Sequence, residues 1–190
     1  MISEIIVQRI KENAVKLSDR VIEEILTREE TKGYRTLDRH VLYRRIYNVY
    51  SMLDAWLSGS HVKGEIKTHY TELGRQRFQE EIPLEEVLMA LMLIKRHLWL
   101  FVQEQNFFDT TFMFHQALEF NNRVVLFFDR AIYFTAMGYQ EELHASLGRA
   151  QRSGFLSKIP MKKQTLPDEE TYPEFKRNNR PESRGKRPRV

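Results

Sequence analysis

Histidines set on apolar helical faces are the residues of this chain whose type and spacing could do chemistry. His97 lies near the end of EIPLEEVLMALMLIKRHLWLF, residues 81–101. It borders a face made by Leu84, Val87, Leu88, Leu91, Ile94, Leu98, Phe101 and Val102 at helical spacing. Neutral imidazole is a good axial ligand for haem iron, and a helical bundle can enclose a porphyrin. The commoner use of a border histidine is to pack its ring and hydrogen-bond its tip. His69, within the stripe Ile66, Tyr70 and Leu73, is the second candidate, with the same pair of readings. Asn121 is the third: it falls in the face formed by Phe114, Ala117, Leu118, Val124, Val125, Phe128 and Ile132. An amide there must find a hydrogen-bond partner or cost about 1–3 kcal/mol. It can set register between helices or line a ligand pocket. His40, His61 and His115 stand among charged or capping residues, where solvent exposure accounts for them.

Other chemistries lack their residues. The chain has no cysteine, so disulfides, thiolate metal sites and cysteine nucleophiles are excluded. A di-iron bundle needs two Glu-x-x-His pairs and two further glutamates; Glu141 with His144 supplies one pair. Glycine-rich phosphate loops, GxSxG and HExxH are missing. The expectation is a protein that is not an enzyme and requires no cofactor, with haem as the alternative.

The elements that must position these residues are helical. Ile2, Ile5, Ile6, Ile10, Ala14, Leu17, Val21 and Ile25 recur at three- and four-residue steps, predicting a helix from Ser3 to Arg28. Thr36 can cap a second, carrying Leu37, Val41, Ile46, Val49, Tyr50, Leu53, Trp56 and Leu57 until Gly59. Ser60 can cap a third, whose weaker pattern suggests an outer position. Pro83 suits the first turn of a fourth, running to Gln105, with Glu85 and Glu86 complementing its positive end. Asp109 can cap a fifth that is apolar around much of its circumference, as a central helix is. No alternating stretch competes as a strand. The class is therefore all-α, a compact bundle of five to six helices.

Charge divides the chain. Residues 1–148 hold 18 Lys and Arg against 21 Asp and Glu, and residues 149–190 hold 12 against 5, with five of the six prolines. The reading is a helical sensor- or scaffold-like domain over 1–147 and a basic, Pro-containing, disordered tail over 148–190. In the tail, Lys162, Lys163, Lys176, Arg177, Arg180, Arg184, Lys186, Arg187 and Arg189 could track nucleic-acid phosphates or an anionic membrane. The start, MISEIIVQRIKENAVK, has no unbroken apolar segment of the signal-peptide kind. The longest uncharged apolar run, Val87 to Ile94, is short of the ~20 residues a membrane span needs. A cytoplasmic protein is expected.

The block GRQRFQEEIPLEEVLMALMLIKRHLWLFV, followed by FFDRAIYFTAMGY, resembles the helical N-terminal domain of the RsbRD type of RsbT co-antagonist proteins. The resemblance rests on the entry Ile82 to Leu88, on Trp99 late in the same helix, and on Asp129 and Tyr139. It covers Ser3 to Glu142. It implies an all-helical input or scaffold domain that usually precedes an output module, a STAS domain or a sensor kinase core; here a basic tail takes that place. It brings no catalytic or ligand-binding residues. The expected function is a non-enzymatic bacterial signalling module that mediates protein–protein interaction or signal input in a stress-response-type pathway, with a protein partner or a second copy of itself. A small-ligand or haem sensor is the alternative, and binding of an anionic polymer or membrane surface through the tail is a third reading.

Overall fold

The computed structural model describes residues 2–57, 63–105 and 110–152, and among them every regular element is helical. The elements are α1 (Ile2–Glu12), α2 (Ala14–Thr27), a 3-10 segment (Glu29–Thr36), α3 (Arg39–Ser51), α4 (Leu53–Leu57), α5 (Lys63–Gln79), α6 (Leu84–Glu104) and α7 (Thr111–Arg152). The all-α class stands, but the expected five to six helices become eight helical segments among the described residues. The added breaks have local causes. The helix expected from Ser3 to Arg28 divides at Asn13 (φ −107°, ψ 10°). Its side-chain amide donates to the Arg9 carbonyl at 2.9 Å, the competition with backbone bonding that makes Asn a poor helix-interior residue. The second helix divides at Met52, leaving α4 as a separate short helix. Its cap is Asp38 rather than Thr36: the Asp38 carboxylate accepts from the His40 and Val41 N–H groups at 2.8 and 3.2 Å. Thr36 instead donates its hydroxyl to the Gly33 carbonyl. The caps expected at Ser60 and Asp109, and the tail from 153 to 190, lie outside the described residues. The fifth helix runs on through Gly148 to Arg152.

The core forms where α2 and α6 turn their apolar faces together. Ala14, Leu17, Val21, Ile22 and Ile25 from α2 are buried, as are Val87, Ala90, Leu91, Ile94, Leu98 and Val102 from α6. Leu93 is also buried, whereas Leu100 is exposed. Two polar ties fix the frame. The buried Tyr50 of α3 donates its hydroxyl to the Ile94 carbonyl at 3.0 Å. The buried Glu86 carboxylate accepts the Gly33 N–H at 2.6 Å, and a Cβ at Gly33 would lie 2.9 Å from that oxygen.

The weakly patterned α5 packs almost wholly against one neighbour, and Lys67, Thr68, Glu72 and Gln76 on it are exposed, as the outer position expected for it requires. Its contact with α7 is the most extensive between any two elements, and the two run in the same direction: Tyr70 meets Phe127, Arg75 pairs with Glu141, and Phe78 meets Tyr139. At the crossing the two backbones touch. A Cβ added at Gly74 would stand 2.0 Å from the Thr135 carbonyl oxygen, and one at Gly138 would stand 1.9 Å from that of Thr71. Small residues permit this approach while adding little hydropathy, which is why the face has no strong apolar period. Ala131, Thr71 and Thr135 complete the seam, all buried.

A Schellman turn then reverses the chain into α6: Ile82 N–H bonds the Arg77 carbonyl and Glu81 N–H that of Phe78. The left-handed position in this motif, normally glycine, is held by Glu81 at φ 58°. Pro83 sits at the cap of α6, one residue before the first turn where it was expected.

Two stability outcomes follow from this packing. Gly74→Ala and Gly138→Ala are each expected to lower unfolding free energy in urea by about 3 kcal/mol, because the added methyl meets backbone that cannot swing aside. Glu81→Gly is expected to raise it by about 1 kcal/mol by relieving the left-handed backbone strain.

Candidate functional site

The sequence candidates do not converge on one site. His97, on α6, has a side chain 14% exposed, and its Nε2 contacts the Glu24 carboxylate of α2. The same carboxylate receives Arg28 Nε at 2.7 Å and Arg96 Nη1 at 3.2 Å. Iron ligation through Nε2 would require this pair to open. Burial pushes the Glu24 pKa up, but hydrogen bonds and charge from His97 and Arg28 outweigh it and leave the carboxyl below its ordinary value. The cluster therefore fastens α6 to α2.

Asn121 is half-buried rather than central. The buried face of α7 is Ala117, Phe120, Val124, Phe127, Phe128, Ala131 and Thr135, whereas Phe114 and Leu118, expected in it, are exposed. The inward direction is thus rotated away from the one that the apolar count suggested. Glu141 is drawn to Arg75 at 2.7 Å. The basic residues Lys162, Lys163, Lys176, Arg177, Arg180, Arg184, Lys186, Arg187 and Arg189 lie outside the described residues.

His69 belongs to a cleft that the sequence reading did not assemble. The cleft, about 790 Å³, runs between α3 and α5, and α3 packs on α2 rather than along α5. One end is aromatic: the Trp56 ring lies 5.5 Å from His69 and 6.3 Å from Tyr70, and His69 sits edge-on to Tyr70 at 5.0 Å. Desolvation holds the His69 pKa below its ordinary value, which favours the neutral ring. Val49, Met52 and Leu73 continue the apolar wall.

The other end is cationic. Arg45 of α3 clamps both oxygens of Glu80, at 2.6 and 3.0 Å, and Arg77 Nη1 donates to Glu80 at 2.8 Å. Burial raises the Glu80 pKa, but the hydrogen bond from Arg45 and the two guanidinium charges outweigh it and hold the carboxyl below its ordinary value. Arg77, with its side chain 5% exposed, carries its charge close to the buried Tyr34, while its Nε–H has no acceptor among the described residues. Asn48 and Gln76 flank this end. One carboxylate thus faces two guanidiniums beside an apolar trough. Sequence reading missed the site because Arg45 and Arg77 carry no pattern of their own and Trp56 counts as part of an apolar face. The available signal was the pair Arg75-Gln76-Arg77 at the end of a helix otherwise poor in apolar residues.

Comparison with known proteins gives one result. A family model described as the RsbT co-antagonist protein rsbRD N-terminal domain matches residues 16–153, which takes in most of α2 and all the elements from there to α7. No curated protein and no solved structure matches the chain.

The Glu24 cluster sets a pH dependence. A carboxylate with a depressed folded-state pKa stabilises above its unfolded value, near 4.3, and that contribution fades as pH falls through the folded value. Thermal melting of Glu24→Gln is expected to start lower at pH 7 and to converge on the wild-type curve as pH drops through this acid range.

Proposed function

The chain belongs to the family of RsbT co-antagonist protein rsbRD N-terminal domains, and from that premise we propose that it is a non-enzymatic regulatory domain that works by binding protein, with a second copy of itself as the partner. Membership of this family supports a role related to stress-response signalling. The observation that supports a binding role is the apolar exposure of α7. Phe112, Phe114, Leu118, Leu126, Tyr133, Leu143 and Leu147 are all exposed on this one helix. At 42 residues, α7 is about 63 Å long, well beyond the 21-residue α6 that lies against it. A soluble monomer rarely leaves so extended an apolar row in water, and such rows are the usual material of interfaces. A long helix paired with its own copy about a two-fold axis covers the same row on both subunits. Among the described residues no helix is long and apolar enough to cross a membrane, so the row is not a span.

Sedimentation velocity at micromolar concentration tests this reading. The wild-type chain is expected to sediment as a dimer, and Leu118→Glu with Tyr133→Glu as a monomer of unchanged helicity. A wild-type chain that stays monomeric throughout the concentration series removes self-association as the mode of binding.

A further inference from the structure

We propose that the cleft between α3 and α5 binds an elongated monoanionic amphiphile, a medium-chain or arylalkyl carboxylate, with its head group at Arg45 and Arg77 and its apolar body along Met52 to Trp56. The proposal stands independently of the self-association of α7, whose exposed row is no part of the cleft lining.

Three observations carry it. The first is the unsatisfied donor. Arg77 is buried, and its Nη1 serves Glu80, yet its Nε–H has no acceptor among the described residues. A buried donor without a partner is costly, and a small shift of the Arg77 side chain toward the cleft that it lines would let an anionic oxygen relieve it. The second is charge. Glu80 neutralises only one of the two guanidiniums, so this end keeps an excess positive charge. The acidic residues that line the cleft lie further along: Glu72 is paired with Arg75, and Glu65 is near the start of α5. An anionic head is therefore drawn to the Arg45 end and repelled from the other, which fixes the ligand's direction. The third is shape. From His69 to Arg77 the helix rises about 12 Å at 1.5 Å per residue. The cleft surface is mostly apolar, although Asn48, Glu72 and Gln76 interrupt it over that span, and it ends on the Trp56, His69 and Tyr70 rings. A single extended chain or small aromatic body fills such a trough, and a compact polar metabolite would leave it wet.

Decanoate is the probe, with decanol as its uncharged counterpart, and intrinsic tryptophan emission and thermal melting are the readouts. Decanoate is expected to change the emission saturably and to raise the melting temperature. Trp56→Phe is expected to abolish the emission change and keep the thermal shift, since Trp99 lies outside the cleft. Arg45→Gln is expected to weaken decanoate about tenfold, a difference of about 1.4 kcal/mol, and to leave decanol unchanged. Met52→Glu, at an exposed position that leaves the Arg45 clamp intact, is expected to weaken decanoate more than decanol. Circular dichroism of each variant without ligand separates lost folding from lost binding. The proposal is overturned by equal affinity for decanol and decanoate, by decanoate affinity unmoved in both Arg45→Gln and Met52→Glu, or by no saturable change in either readout. An emission change that tracks protein concentration rather than decanoate would assign the cleft to a second copy instead and overturn it as well.

Discussion

The contact between the backbones of α5 and α7 is the constraint on which the rest of the structure depends. Gly74 and Gly138 each face a carbonyl of the opposite helix, with no room for a methyl group on either side. Such an approach gains dispersion and weak C–H···O contacts over a short length of helix rather than burying large side chains. It also leaves Thr71 and Thr135 inside the seam with hydroxyls that have no partner among the described residues. That cost is tolerable only because the crossing fixes the position of α5. With α5 held on α7, its outward face is left toward α3 without being packed by it.

The cleft is the consequence. Helices α3 and α5 are joined at one end by the Arg45, Glu80 and Arg77 cluster and approached at the other by Trp56. An ion cluster spans a gap that side-chain packing would close, because guanidinium and carboxylate hold their distance through fork-like hydrogen bonds. The partial burial of the cluster raises the cost of leaving any member unpaired, so the geometry is well determined. The same organisation appears between α2 and α6, where Glu24 gathers His97, Arg28 and Arg96, but there the helices also share an apolar face and no cleft remains.

Strong periodicity made part of this legible in advance. The α2 face from Leu17 to Ile25 and the α6 face from Val87 to Val102 are buried as their spacing required, and the chain's membership of its family could be read from the stretch around Pro83. Helix breaks at Asn13 and Met52 were not legible, since neither residue prevents helix in general. How closely α5 packs on α7 was not legible for a definite reason: glycine and threonine pack a helix closely while contributing almost nothing to an apolar count. The face of α7 was misjudged because aromatic and aliphatic residues surround that helix, and composition gives no inward direction when nearly every direction is apolar.

What the amino-acid sequence determined by itself was therefore local: the helical class, the entry of α6 at Pro83 and the want of cysteine chemistry, since each depends on neighbours within a few residues. The tertiary structure alone decided which faces meet. His97 became a clasp because Glu24, 73 residues away in sequence, lies under it. Arg45 and Arg77 became one end of a cleft because both reach Glu80. Partners so distant along the chain leave no period to read, and the electrostatic identity of a site arises only when folding sets their charges side by side.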